Sequence, residues 1–144
     1  MEKKELEARI SAALDRHQYC SLGTVEGNRP KVRYMALFHE GLNIHLATSR
    51  KTQKVDELEA NPNVYLLFGY DGSWPSDVVE IEGTCSISKD ESLRAKVWRE
   101  DLKHWFYGPD DPDYVILDID PVRIEFTEKG SERRIWEREK AGVR

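Results

Sequence analysis

Leu6, Ile10, Ala13, Leu14 and His17 recur at helical spacing against a face of Glu and Lys. Residues 2–16 are therefore predicted to form an amphipathic helix lying across a core. From Tyr19 the period changes to two. Tyr19–Val25 reads as a strand, Glu26-Gly27-Asn28 as a turn, and Pro30–Phe38 sets Val32, Tyr34, Ala36 and Phe38 against Lys31, Arg33, Met35 and Leu37. His39-Glu40-Gly41 turns this first hairpin into a third strand, Leu42–Thr48, with Leu42, Ile44 and Leu46 sharing a face. A polar turn then opens a helix with Val55 and Leu58 inward, which Asn61-Pro62 stops before a strand from Asn63 to Tyr70.

Beyond the breaks at Asp71-Gly72 and Trp74-Pro75, Val79, Ile81, Cys85 and Ile87 alternate with Glu80, Glu82, Thr84, Ser86 and Ser88. Ser88-Lys89-Asp90-Glu91 has the form of a capping box for a helix carrying Leu93, Val97 and Leu102 on one side. An aromatic loop, His104–Asp113, leads into two runs, Tyr114–Asp120 and Val122–Thr127, joined at Pro121. A turn at Glu128–Ser131 precedes the last strand, Arg133–Glu137, beyond which the charged tail is expected to fray. The prediction is a mostly β (α+β) chain, residues 1–144 as one domain: six to seven antiparallel strands in a closed or split barrel, with short flanking helices.

Composition narrows the function. A net charge of −5 over 144 residues argues against a nucleic-acid groove, so any anion site must be a local basic pocket. Cys20 and Cys85 lie in apolar strand runs without metal-like or CxxC spacing, as reduced core thiols of a cytoplasmic protein would. No apolar run approaches membrane-spanning length.

The best candidate for such a pocket is Thr48–Pro62, TSRKTQKVDELEANP. Thr48, Ser49 and Thr52 offer hydroxyls, and Lys51 and Lys54 offer charge, where the first N–H groups of a helix still lack partners. Such a terminus can hold a phosphate through amides, dipole and lysine together. The same residues also read as a plain N-cap followed by solvated lysines.

Three segments extend that picture: PKVRYMALF at Pro30–Phe38, TSRKTQKVDELEANPNVYLLF at Thr48–Phe68, and WFYGPDDPDYVILDIDPVRIEF at Trp105–Phe126. In this order they resemble the FMN-binding split barrels related to pyridoxamine 5'-phosphate oxidase, within them the general stress protein 26 group, over nearly the whole chain. The resemblance implies that Arg33, Tyr34, Met35 and Ala36 lie along a flavin and its phosphate. It places Ala47 and Thr48 at the ring edge and Thr52, Gln53 and Lys54 on the phosphate. It also implies a homodimer with FMN at the subunit interface, where Trp105 would stand against the isoalloxazine or would merely pack its loop. Independently, Arg33 is expected on a strand paired to the Thr48 strand, from which it could reach the same anion bidentately.

The departures from the oxidase are as informative. Gln53 stands where the oxidase has an arginine, Val78 where it has a flavin-contacting glutamine, and Thr127 where a tryptophan closes its EFW motif. Arg134-Ile135-Trp136-Glu137-Arg138 resembles its RLHDR substrate segment, with Trp136 for the histidine. An indole cannot replace an imidazole there, so pyridoxamine phosphate is not expected as substrate.

Other constellations point nowhere specific. His17, His39, His45 and His104 lack ligand spacing, so no metal is expected. Asp110, Asp111 and Asp113 lack the rest of a calcium loop and read as a solvated turn, while Glu80 and Glu82 read as a strand's wet face. No nucleophile motif is present. The expected activity is a flavin-run oxidoreduction with a small-molecule electron donor or acceptor and no assignable catalytic residue. The alternative is a non-catalytic flavin-binding or stress-response protein. Related barrels also take haem or the deazaflavin F420, the first disfavoured by histidine placement and the second by the acidic charge.

Overall fold

The computed structural model describes residues 1–139, so the expected fraying of the tail falls mostly outside the described residues. Helix α1 (Lys3–Asp15) is followed by β1 (Tyr19–Glu26), β2 (Arg29–Ala36), β3 (Phe38–Glu40) and β4 (Asn43–Ser49). Helix α2 (Gln53–Ala60), β5 (Asn63–Phe68), β6 (Val78–Ser88) and α3 (Glu91–Val97) come next. A 3-10 turn (Glu100–His104), β7 (Tyr114–Thr127) and β8 (Arg133–Glu137) complete the order. All eight strands join one antiparallel sheet in the order β2-β1-β5-β6-β7-β4-β3, with β8 beside β7. This is the mostly β split barrel with flanking helices that the periodicity predicts.

The predicted second strand divides, because Leu37 turns inward and its N–H bonds to Gln18 O at 2.8 Å. The two pieces stand at opposite ends of the strand order, so one residue carries the chain across the gap and the sheet must curl until β2 approaches β4. Inside that curl Leu22, Ile44, Leu46, Leu66, Ile81, Leu117, Ile119 and Ile124 are fully buried, and α1 closes the core with Ile10 and Leu14. Burial of each such side chain stabilises the fold by roughly 1.5–3 kcal/mol relative to exposure.

The runs expected on either side of Pro121 form one strand. Residues 114–119 of β7 pair with β4 and 123–127 with β8, so Pro121, which has no N–H, falls in the gap between those neighbours. On its other edge Pro121 faces Gly83 at a register shift. A Cβ on Gly83 would come within 2.9 Å of Ile119 Cγ2.

Two local expectations are corrected. The cap of α3 is Asp90, whose carboxylate accepts from Leu93 N at 3.0 Å, while Ser88 Oγ accepts only from Asp90 N. The cap has therefore slipped by two residues, and with Leu93 in the third helical position it is a plain cap rather than a box. The helix also stops at Val97, where Trp98 turns extended (ψ 133°), so Leu102 arrives on the separate 3-10 turn. Both still serve one cluster, with Val97, Leu102, Phe106, Tyr114 and Ile116 packed together outside β4 and β7. Gly69, at φ +126°, ends β5 two residues early, and a Cβ there would collide with Asp77 O at 2.1 Å.

Candidate functional site

The pleat of β2 sends Lys31, Arg33 and Met35 to the core-facing side, opposite Thr24, Leu22 and Cys20 of β1. Thr48 is buried near the end of β4, and Lys54 enters from the first turn of α2. The side chains converge at the seam where β2 approaches β4. Contrary to the expectation from sequence, the two strands are not paired with each other, because β2 hydrogen-bonds to β1 and β4 to β3 and β7. Lys54 Nζ donates to Thr48 Oγ1 at 2.8 Å. Arg33 donates through Nη1 to Thr24 Oγ1 and through Nη2 to Glu57 Oε2, both at 2.9 Å. Desolvation holds Lys54 below the usual lysine range, the nearby Arg33 pushes the same way, and Glu57 opposes them. Arg33 and Lys54 therefore share one neighbourhood, with Glu57 between them.

Thr52 does not cap α2. Its hydroxyl donates to Ser49 O at 2.9 Å, and the helix receives no side-chain cap at its N-terminus. The first amides of α2 are thus not covered by the residue the N-cap reading would use, and they lie beside Lys54. Two cations, a buried hydroxyl and a helix start of this kind suit a phosphate monoester.

The remaining candidates are dispersed. Gln53 turns its amide to Glu26, and Met35 is buried in the main core. Tyr34 points to the opposite face of β2 and is 87% exposed. Ala36 is half-buried, and Ala47 packs on the outer cluster with Phe38, Leu93 and Trp98 rather than beside Thr48. Trp105 is 71% exposed, edge-on to His104 alone. Lys51, expected in the phosphate turn, swings outward instead: it is 69% exposed and pairs with Asp113 at 3.3 Å. Arg50 joins it there at 2.9 Å.

Residue-by-residue reading missed Glu57, Lys31, Thr24 and Glu26. Lys31 pairs with Glu26 at 2.9 Å and with Glu57 at 3.2 Å, and Glu26 first, then Glu57, holds it above the usual lysine range. A signal did exist: Lys54, Glu57 and the inward Leu58 share a helical stripe, and Lys31 lies two residues before Arg33 on one strand face.

Other expected or possible centres take structural roles. Burial pushes the thiols of Cys20 and Cys85 up to about 12, leaving them inert as nucleophiles at neutral pH. Asp111 is buried, contrary to the solvated turn expected, and accepts from Tyr107 N and Asp113 N to shape the aromatic loop. No cluster of three metal-ligating side chains occurs among the described residues. None of their helices is long and apolar enough to cross a membrane. Trp136 lies in the core and donates Nε1–H to Glu7 Oε2 at 2.7 Å, with Lys3 over its ring. It clamps α1 to the barrel.

Comparison with known proteins agrees with this architecture. Residues 6–128 match the family described as pyridoxamine 5'-phosphate oxidase. General stress protein 26 of Bacillus subtilis (strain 168) is 40% identical over 131 residues, spanning 90% of this chain and 94% of that one. The chain belongs to the pyridoxamine 5'-phosphate oxidase family. Among solved family structures, General Stress Protein 26 of Bacillus anthracis str. Sterne superposes with a TM-score of 0.81 at 33% identity, covering 90% of this chain and 97% of its own. A more distant fold neighbour from Nostoc punctiforme PCC 73102 is described as a pyridoxamine 5'-phosphate oxidase-related, FMN binding protein. Its TM-score is 0.74 at 18% identity, over 92% of this chain and 90% of that one. Membership in the oxidase family and similarity to general stress protein 26, both expected from the three motif segments, are thereby shown.

Proposed function

We propose that this family member is an FMN-binding flavoprotein and an oxidoreductase that does not oxidise pyridoxamine phosphate. The observation that carries the proposal is the meeting of Arg33, Lys54 and Thr48 at the start of α2. Arg33 and Lys54 would neutralise the phosphate of the flavin, Thr48 would aim Lys54, and the first amides of α2 would complete the seat. Bound FMN would supply the redox chemistry, as acceptor and donor of a hydride or of electrons. The chain's own share is to bind, orient and exclude water.

A homodimer is part of the proposal. Val32, Tyr34, Tyr65 and Leu67 stand exposed on the outer face of adjoining strands, with Val32 and Tyr65 both opposite Gly23 and Tyr34 and Leu67 both opposite Ser21. A continuous apolar patch of this kind favours a covering surface. A second copy would cover it and would bring an exposed Trp105 to a flavin that its own protomer leaves unstacked. Two unpaired buried thiols support a cytoplasmic location.

Against pyridoxamine phosphate stands Trp136, committed to α1 where the oxidase segment carries a histidine. The test is an absorption spectrum of purified protein, titration with FMN and riboflavin, and turnover with nicotinamide donors. Flavin bands, tighter binding of FMN than of riboflavin and donor oxidation are expected. Equal affinity for the two flavins would remove the phosphate seat, and oxygen uptake with pyridoxamine phosphate would overturn the substrate reading. Binding without turnover would select a flavin-storing or sensing role.

A further inference from the structure

Glu57 is the anomaly of the seat. Its side chain is 1% exposed, on α2 one turn beyond the amides proposed to hold phosphate. Oε2 accepts from Arg33, whereas Oε1 has only Lys31 at 3.2 Å, within ion-pairing range but without hydrogen-bond alignment. A buried carboxylate normally recruits donors to both oxygens. Arg33, for its part, has one terminal nitrogen on Thr24 and the other on Glu57. Two of its five N–H groups, one on each terminal nitrogen, are thus spent inside the protein, and a dianion meets Arg33 in competition with a carboxylate that already pairs with it.

We propose that Glu57 is an internal counter-ion which occupies Arg33 in the ligand-free protein and which the phosphate monoester displaces. The inference rests on the phosphate seat proposed above. Lys31, Arg33 and Lys54 crowd together and would repel one another without an anion, and Glu57 supplies it when no ligand does. Lys31 gives the released carboxylate a place to go, since its ammonium already lies within reach of Oε1 and is shared with Glu26. Three cations against two carboxylates leave one surplus positive charge, so the seat binds a phosphate more weakly than its cation count suggests. Glu57 is thus an affinity-setting residue rather than a phosphate ligand.

Glu57→Gln keeps the shape and removes the charge. FMN and riboflavin are titrated by flavin fluorescence into wild type and variant, and inorganic phosphate is titrated with thermal stability as the readout. The variant is expected to bind FMN about tenfold more tightly at unchanged riboflavin affinity, and to gain more stability from phosphate than wild type. Weaker or unchanged binding of FMN and phosphate would overturn the proposal, because Glu57 would then be holding Arg33 in place for the ligand. If phosphate protection grows while neither protein binds either flavin, the counter-ion role stands and the flavin reading falls. Should neither flavin nor phosphate bind to either protein, both ideas fall together. Glu57→Asp, which draws the carboxylate back from Arg33 but keeps the charge, serves if the amide variant does not fold. It is expected to shift FMN affinity in the same direction, by about threefold; no gain in affinity would overturn the proposal.

Discussion

Two lysines three residues apart, Lys51 and Lys54, leave one turn in opposite directions. Lys51 lies outside with Arg50 on Asp113, in solvent, where an ion pair contributes roughly 0–1 kcal/mol and salt screens it. Lys54 is drawn under the barrel seam onto Thr48, where desolvation works against its charge. The outer pair is explained by stability, since it ties the β4–α2 turn to the aromatic loop alongside the backbone bond from Arg50 N to Asp113 O at 2.8 Å. The inner lysine keeps its bond to Thr48 and the attraction of Glu57 against the cost of desolvation and the repulsion of Arg33, the position the proposed phosphate seat would use.

The sharpest way to break this contrast is Lys54→Met. Removing a charge-assisted hydrogen bond worth about 1.5–3 kcal/mol should weaken FMN binding by roughly 10–150-fold and leave riboflavin binding nearly unchanged, read by flavin fluorescence quenching. Undiminished FMN affinity would put the phosphate elsewhere.

How far the contrast was legible in the sequence depends on what each residue's partner was. Strand alternation and the helix start mark Arg33 and Lys54 one by one, but the two meet across an unpaired seam rather than through paired strands. Helix α1 and the first hairpin follow from the same periodicities, whereas the curl depends on the break at Leu37, which they do not show. Glu57 shares a helical stripe with Lys54 and Leu58, but acids on short helices ordinarily face water, and only the packing of α2 shows that this one is buried. Lys51 takes the solvated alternative, and its partner lies 62 residues away in Asp113, a contact of a range that no local pattern reports. The α3 cap slipped because Asp90 competes for it with Ser88, and Asp is at least as good a cap.

A smaller effect sharpens the contrast from the stability side. Lys54 has a folded-state pKa below its ordinary 10.5, so between those values the unfolded chain binds more protons and stability rises with pH. The penalty for its charge is felt at pH values below the folded pKa and fades as the pH rises through that value and beyond 10.5. Ligand-free Lys54→Met should therefore be more stable than wild type at pH 7, by up to about 1 kcal/mol after allowance for the solvent that still reaches the group. That advantage should shrink as the pH is raised towards 10. Thermal melts across this range decide it, and a less stable variant at pH 7 would mean that Lys54 is held by its own contacts rather than for a ligand.

Asp113→Ala tests the outer arm. It removes the partner of both Arg50 and Lys51 while the backbone bond to residue 113 remains. A loss of about 0.5–1 kcal/mol is expected in denaturant melts at low salt, with FMN affinity within twofold of wild type. A tenfold loss of affinity would show that the aromatic loop, Trp105 included, is positioned through this anchor, and would couple the two arms.

The smallest effect belongs to Lys51→Ala. Its ammonium is mostly hydrated and Arg50 still holds Asp113, so stability should change by no more than about 0.5 kcal/mol, and that change should vanish in 0.5 M salt as the Debye length contracts. FMN affinity should fall at most about twofold, through loss of a distant, screened charge, whereas the loss caused by Lys54→Met should persist in the same salt because its charge is partly shielded from solvent. Salt is therefore the control that separates the two lysines: a ligand contact weakened by Lys51→Ala as strongly as by Lys54→Met at high ionic strength would mean that the outward Lys51 side chain leaves Asp113 and swings in to meet the phosphate.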